Sequence, residues 1–313
     1  MSNWIFKDKN PQLVNKANLK VILHADDFGL CDDITNEIFD CIGSKRIHRT
    51  SVICNTEGFT LAKKLYKEHT GMFDVSLHLN IVEGKPISDI KDVDLLINNI
   101  GEFRYTFLSL WLTYLFSKKS RKAKLKEQVK KEIEGQIGLF RTLWGDDKRK
   151  FIRIDGHTHV HMIPFVLDVI LEIAKENRIG SIRSTHERFF ICLNNLRNYF
   201  SLNIIKHFLL NFLSELQIDK IRRSGLSSNN YLIGILSTGN MNFNSVSRAL
   251  RKLNGVEEQD GIVEILFHPG GFIDTHDKKD HFKFRQYYVS ENRKREKQFL
   301  MEADIYKLLN DRI

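Results

Sequence analysis

The stretch KVILHADDFG, residues 20–29, decides how the chain is read. Lys20-Val21-Ile22-Leu23 has the apolar character of a buried strand, and the polar segment from Cys31 to Asn36 opens a helical pattern continued by Ile38, Phe39 and Ile42. Asp26 and Asp27 therefore close a strand just ahead of a glycine. Successive side chains of an extended chain point to opposite sides, so two adjacent acids cannot duplicate one another. One carboxylate on a metal and the other on a proton is a division that uses both. A structural reading competes with it: one Asp caps the following helix and the other faces water.

Outward from this segment, short apolar runs alternate with helical patterns, and strands are expected near 20–25, 49–54, 73–78, 151–155, 181–184, 231–235 and 261–267. That alternation belongs to βα units around a parallel sheet. It predicts an α/β fold, an irregular (β/α) barrel with about seven parallel strands and helical insertions. The 313 residues, 42% of them hydrophobic, suffice for one large core. With no internal repeat and no Pro/Gly/Ser-rich linker, one domain over residues 1–313 is expected, elaborated by helices at about 83–150 and 185–225. Leu125, Val129, Ile133, Ile137 and Phe140 recur at helical steps and predict an amphipathic helix over Arg121 to Trp144.

The formal charge of +9, from 48 Lys plus Arg against 39 Asp plus Glu, is too dispersed to argue for nucleic acid, though it favours an anionic substrate or surface. The four cysteines show no CxxC spacing and no cleavable signal precedes the first strand, which predicts a reduced, cytoplasmic protein. No apolar run reaches the roughly 18 residues of a membrane span. The nearest approach is YTFLSLWLTYLF, Tyr105 to Phe116, followed by the basic string Lys118-Lys119-Ser120-Arg121-Lys122. A buried helix is the favoured reading; an interfacial or lid helix that meets lipid and phosphate is the other. Whether the apolar helices face core, lipid or a homo-oligomer partner stays open.

Further chemistry gathers at other strand ends. DGHTHVH, residues 155–161, places three of the chain's 12 histidines at alternate positions. In extended chain His157, His159 and His161 would share a side, although the strand is expected to end within the motif so that only some of them converge; packing does not require such an arrangement and metal or catalytic roles do. His78 in SLHLN and His268 in ILFHPGG repeat the placement, and Gly270 and Gly271 allow positive φ or close backbone approach beside a turn fixed by Pro269. A βα barrel brings such strand ends to one face. One carboxylate and two histidines with open positions suit a divalent ion that also binds water and a substrate oxygen. The spare Asp could then accept a proton while a histidine opposite protonates a departing amine. No GxSxG, P-loop or GxGxxG supports nucleophilic or nucleotide chemistry.

HADDFG, SLHLN followed by GKP, DGHTHVHMIP and EILFHPGG, in this order over residues 20–272, resemble the motifs of the YdjC-like carbohydrate deacetylases, a family with chitooligosaccharide and hopanoid-associated members. The resemblance implies a metal-dependent βα-barrel hydrolase that removes acetyl groups from N-acetylated sugars or glycans, with one divalent ion, Mg²⁺ or Zn²⁺. Carried over by motif, Asp27, His78 and His157 would hold the metal, Asp26 would be the general base and His268 the proton donor. Asp155, His159 and His161 match motif positions, with contact to metal, substrate or only neighbours left open. Arg183 and Glu187 are candidate sugar contacts, or else a surface ion pair. The Phe-rich segments at 105–116 and 189–213 and the tail after Gly271 depart from a compact oligosaccharide enzyme, so a lipid-linked glycan and peripheral membrane contact are also expected. Competing functions are a metal-dependent amidohydrolase or phosphoesterase and a non-catalytic sugar-binding protein. An amidohydrolase usually presents an HxH pair at its first strand, where this chain has an acid pair.

Overall fold

The structure, a computed structural model, describes residues 13–14, 19–145, 150–192, 199, 202–253, 261–271, 282–302 and 305. Its sheet contains β1 (Leu13–Val14), β2 (Lys20–Phe28), β3 (Arg49–Val52), β4 (Asp74–Leu79), β5 (Ile152–Gly156), β6 (Ile179–Ile182), β7 (Tyr231–Ile233) and β8 (Ile262–Phe267). The spatial order is β6-β5-β4-β3-β2-β8-β7, every neighbouring pair parallel, and among the described strands only β1 runs antiparallel, against β2. Each of the seven expected strands thus has its counterpart in the parallel array. The curl is closed at one point: Ile182 N–H donates to Ser227 O at 3.0 Å and Ser227 N–H to Gly180 O at 3.0 Å, which ties the edge strand β6 to the segment that leads into β7. The result is the irregular α/β barrel that the strand pattern predicts.

β2 lies between β3 and β8, buried almost throughout, which explains its near-continuous apolar start: a parallel strand covered on both faces has no side to give to water. Around the sheet run α1 (Asp32–Gly43), α2 (Phe59–Glu68), α3 (Phe107–Phe116), α4 (Lys119–Arg141), α5 (Pro164–Ile173), α6 (Leu202–Arg223), α7 (Phe243–Arg251), α8 (Arg285–Tyr288) and α9 (Glu291–Glu302). In α4 the expected stripe Leu125, Val129, Ile133, Ile137 and Phe140 is fully buried. Three buried polar residues of the same helix fix the 80–105 segment by its backbone. Gln136 accepts from Asn80 N–H at 3.1 Å, Glu132 from Ile87 and Ser88 N–H at 3.0 Å each, and Gln128 from Leu95 N–H at 2.8 Å. A connection with little regular structure is thereby held by side chains that satisfy its backbone groups.

The tract 105–116 contains the expected helix, but its favoured burial is not found: of the α3 residues only Leu110 is buried, while Leu108, Leu112, Leu115 and Phe116 are exposed. Residues 193–198, 200 and 201 of the Phe-rich segment, and 272–281 of the tail, lie outside the described residues. All four cysteines are free and buried, and among the described residues no helix is long and apolar enough to cross a membrane.

Candidate active site

A cavity of about 210 Å³ opens at the C-terminal ends of the strands, with Asp26, Asp27, His78, His157, His159 and His268 in its wall. The sequence brought these residues together only as a consequence of parallel strands. Local backbone then decides which side chains point inward. Asp27 sits at φ 75° and the β2–β3 register shifts between Ala25 and Phe28, so the chain leaves the plain extended alternation. For this reason both acids face the cavity, contrary to the opposite-sided geometry expected of an ordinary strand. A non-glycine residue in that conformation costs on the order of 1–3 kcal/mol, which the surrounding bonds must offset. Gly29 continues the turn at φ 96°, where a Cβ would stand 2.6 Å from Ile53 O.

DGHTHVH departs from extension in the same way. β5 ends at Gly156, and a 3₁₀ stretch follows with Thr158 at φ 50° and His159 at φ 62°. His157 and His159 consequently line the cavity, whereas His161 turns away and places Nε2 3.0 Å from Arg183 O. Burial holds His161 neutral, its pKa brought down to about 4.

Asp27 Oδ1, His78 Nε2 and His157 Nδ1 converge: the carboxylate oxygen is 3.6 Å from the first nitrogen and 3.1 Å from the second. These are donor types that a divalent ion takes, and the three residues offer ligand atoms all within 4.8 Å of one another. The second nitrogen of each ring is backed by a carboxylate. His78 Nδ1 lies 2.6 Å from Asp155 Oδ1, and His157 Nε2 lies 3.3 Å from Glu83 Oε2 and 3.0 Å from Tyr288 Oη, whose hydroxyl donates to Glu83. Such backing fixes ring orientation and leaves the inward nitrogen of the neutral ring free to donate its lone pair. The electrostatics also ask for a cation. Burial alone would lower the His78 pKa, but Asp26, Asp155 and Asp27 outweigh it and push the ring up to about 10; Asp27 and Glu83 raise His157 against burial in the same sense. A divalent ion on these three atoms would satisfy the same carboxylates, so the donor set fits one.

Asp26 is held separately. Arg183 meets it with two bonds of 2.9 Å, Ser51 Oγ donates at 2.7 Å, and His268 Nε2 stands 4.0 Å from Oδ2. Burial opposes the charge, yet Arg183, helped by His78 and His268, keeps the carboxyl well below its ordinary range and ionised. His268 is lowered to about 3 by burial, which outweighs Asp27 and Asp26. Its backbone is anchored by Glu296, which accepts from His268 N–H at 2.7 Å. Gly270 takes φ 71° and a Cβ there would meet Glu37 Cβ at 2.2 Å; at Gly271 a Cβ would meet Tyr288 O at 2.5 Å. Both glycine roles anticipated for this turn are therefore realised.

Four expected substrate contacts lie outside the cavity wall. Asp155, 2% exposed, orients His78, shares the Ser51 hydroxyl, 2.8 Å away, with Asp26, accepts from Ser76 at 2.9 Å and forms an ion pair with Arg183 at 3.0 Å. Arg183 is spent on Asp26, Asp155 and Glu264, since three buried carboxylates require a countercharge. Glu187 is neither at the surface nor paired with Arg183. It accepts from the N–H groups of Gly234 at 2.6 Å, Ile235 at 3.2 Å and Leu236 at 2.8 Å and from His207 Nδ1 at 2.9 Å. His161 is the fourth, buried against Arg183 O as described.

Other residues carry no sequence signal for the places they take. The tail after Gly271, read as decoration, builds the site in its described part: Phe284, Tyr287 and Tyr288 line the cavity, and the fully buried Arg293 donates to Asp27 Oδ2 at 2.8 Å. Asn203 and Lys206 of α6 complete another wall. Among the described residues Lys206 has no ion-pair partner, and burial lowers its pKa against the pull of Asp26, Glu187 and Asp27. Only Glu83, within the SLHLN–GKP run, lay close enough to a motif to be considered from sequence.

The chain is similar to several known proteins. The chain is 30% identical over 161 residues to a carbohydrate deacetylase of Brevibacillus brevis, covering 51% of this chain and 58% of the relative. It is 29% identical over 171 residues to one of Xenopus laevis, covering 53% and 50%. To a chitooligosaccharide deacetylase of Proteus mirabilis it is 27% identical over 161 residues, covering 51% and 56%. The chain thus spans about half the length of these curated relatives. A proposed cellobiose-phosphate cleavage protein of Enterococcus faecalis superposes with a TM-score of 0.65 at 19% identity, over 93% of this chain and 94% of that one, which shows a shared fold. The model of the YdjC-like protein family matches residues 20–311, nearly the whole sequence, and the chain belongs to that family.

Proposed function

We propose that this protein is a hydrolase that removes the N-acetyl group of an acetylated sugar or glycan, using one divalent ion held by Asp27, His78 and His157. The observation that carries the reading is the pairing, across one cavity, of that donor set with an ionised Asp26 that faces His268 at 4.0 Å. Two imidazoles and one carboxylate favour Zn²⁺ over Mg²⁺, which prefers oxygen ligands. Such an ion, when bound, supplies Lewis acidity, which acidifies a water and polarises an acyl oxygen.

The remaining work falls to side chains. Asp26, kept ionised by Arg183, accepts the proton of the attacking water and is a weak base, so the proton it holds is readily given up. His268, neutral at rest, relays that proton to the amine nitrogen as the C–N bond breaks, and acetate and free amine leave. Arg293 keeps Asp27 anionic and in place. The cavity is below the roughly 300–1,000 Å³ of typical ligand pockets, which suits one acylated residue at the reacting centre with the rest of the glycan outside. A lipid-linked glycan is the finer reading, supported by the apolar exposed side chains of α3 and α6.

Acetate release from a panel of N-acetylated sugars, with and without chelator, tests the function. Asp26→Asn is expected to retain metal and lose about 10²–10⁴-fold in rate, the usual contribution of a general base. Full activity in that variant, or phosphatase activity without acetate release, would overturn the assignment.

A further inference from the structure

α6 carries large apolar residues on its outward side as well as its inward one. His207, Leu210, Leu213, Ser214, Gln217 and Ile221 face the interior, and Asn203 and Lys206 reach the cavity. On the opposite side Leu202, Ile205, Phe208, Phe212 and Leu216 recur at helical steps with exposures of 80, 64, 58, 59 and 62%. A helix face that meets water is ordinarily polar, and a contiguous apolar stripe of this kind marks a contact surface. Phe189, itself 42% exposed, stacks on Phe208 with ring centroids 5.9 Å apart and widens the stripe.

α3 starts near the inner side of α6: Phe107 packs on the buried cluster that contains Leu210 of α6. From Phe107 to Phe116 it carries no charged residue, and Leu108, Leu112, Leu115 and Phe116 are exposed, the last at 85%. Directly after it come Lys118, Lys119 and Arg121, all exposed and, among the described residues, without an acidic partner. α6 likewise has no acidic residue from Leu202 to Ser214, its one charge there being the cavity-facing Lys206.

We infer that the outward faces of α3 and α6 form a docking surface for an anionic phospholipid bilayer. The apolar side chains enter the headgroup–acyl boundary and Lys118, Lys119 and Arg121 meet lipid phosphates. α3 carries no acidic residue, and on α6 the exposed Glu215 and Asp219 stand only toward the C-terminal end of the stripe, so the acid-free part of the two faces fits an anionic surface. A symmetric dimer on the same face would instead bring two copies of these three unpaired cations to one interface. Because no described helix is long and apolar enough to cross a bilayer, the contact made by these elements is interfacial. This inference goes beyond the proposed deacetylation and does not depend on it.

The test is flotation of the full chain with phosphatidylcholine vesicles and with vesicles enriched in phosphatidylglycerol, at low and high salt, alongside its mass in solution. Salt-sensitive binding to the anionic vesicles alone is expected. Phe208→Glu with Phe212→Glu should abolish it, and Lys118→Glu with Lys119→Glu and Arg121→Glu should weaken it by about five-fold or more per cation, the second set touching no apolar residue in case the first fails to fold. No binding to anionic vesicles, or binding that neither variant changes, would overturn the inference. So would a wild-type dimer that Phe208→Glu with Phe212→Glu dissociates, since a second copy would then occupy the face. Acetate release from soluble N-acetylated sugars, measured on the same samples, separates the two readings: its absence with vesicle binding intact strikes the enzymatic assignment alone.

Discussion

Asp155→Asn isolates the link between a buried carboxylate and the histidine proposed to hold metal. The substitution preserves shape, but the amide has one acceptor where the carboxylate used two. Oδ1 stands 2.6 Å from His78 Nδ1, while Oδ2 shares the Ser51 hydroxyl with Asp26, accepts from Ser76 and pairs with Arg183. If the amide oxygen keeps His78, the amide NH₂ is turned toward donors; if it keeps the donors, NH₂ faces Nδ1 and favours the wrong tautomer. A bond to a charged partner contributes about 1.5–3 kcal/mol, and loss of a carboxylate behind a metal-binding histidine lowers metal affinity about 10–100-fold. Arg183 retains Asp26 and Glu264, so the fold should survive with a loss of about 1–3 kcal/mol. Zn²⁺ affinity is measured by competition with a chromophoric chelator, and stability by urea unfolding. His159→Gln, which alters a cavity-lining ring outside the three-atom set, should leave the affinity essentially unchanged. A folded Asp155→Asn protein with wild-type Zn²⁺ affinity would refute the reasoning, because His78 would then be no ligand or Asp155 no anchor for it.

Arg183→Met removes the countercharge of Asp26, Asp155 and Glu264 together, and a loss of about 3–5 kcal/mol is expected, read as a large fall in midpoint on chemical denaturation; an unchanged midpoint contradicts the described network. His161 is held neutral in the folded state with its pKa near 4 against an ordinary 6.5. Below 6.5 the unfolded chain takes up a proton that the folded one refuses, so its contribution, at most about 3 kcal/mol, is full above that pH and is lost as pH falls toward 4. Unfolding free energies measured across this window should show a shallower acid limb in His161→Gln. Gly270→Ala forces a Cβ against Glu37 and a positive φ on alanine, and should cost on the order of 1–3 kcal/mol while lowering kcat through displacement of His268. Crystallographic superposition of that loop on the wild type, showing no shift, would count against the steric argument.

The strand pattern made the barrel legible because a parallel strand covered on both faces is written as a short apolar run, and the seven runs sit where the seven parallel strands form. Asp26, Asp27, His78, His157 and His268 were legible for a related reason: each follows such a run, and parallel strands deliver their ends to one face. Direction of side chains was not. Simple alternation misplaced Asp27 and could not say which of the three histidines converge, because left-handed residues at Asp27, Thr158 and His159 depend on surrounding structure to hold a conformation that the local sequence disfavours.

Burial was equally out of reach. Arg183 and Glu187 look like surface residues available to a sugar until three carboxylates and three backbone N–H groups are found around them. Arg293, 266 positions from Asp27, reaches it only through docking of the C-terminal helix. The sequence by itself determined the sheet, its order of chemistry and the residue types that can hold a metal and move a proton. The tertiary structure decided which carboxylate is pinned by Arg183 and which faces two imidazoles, because charge pairing in a buried site depends on distances between segments that the chain order does not encode.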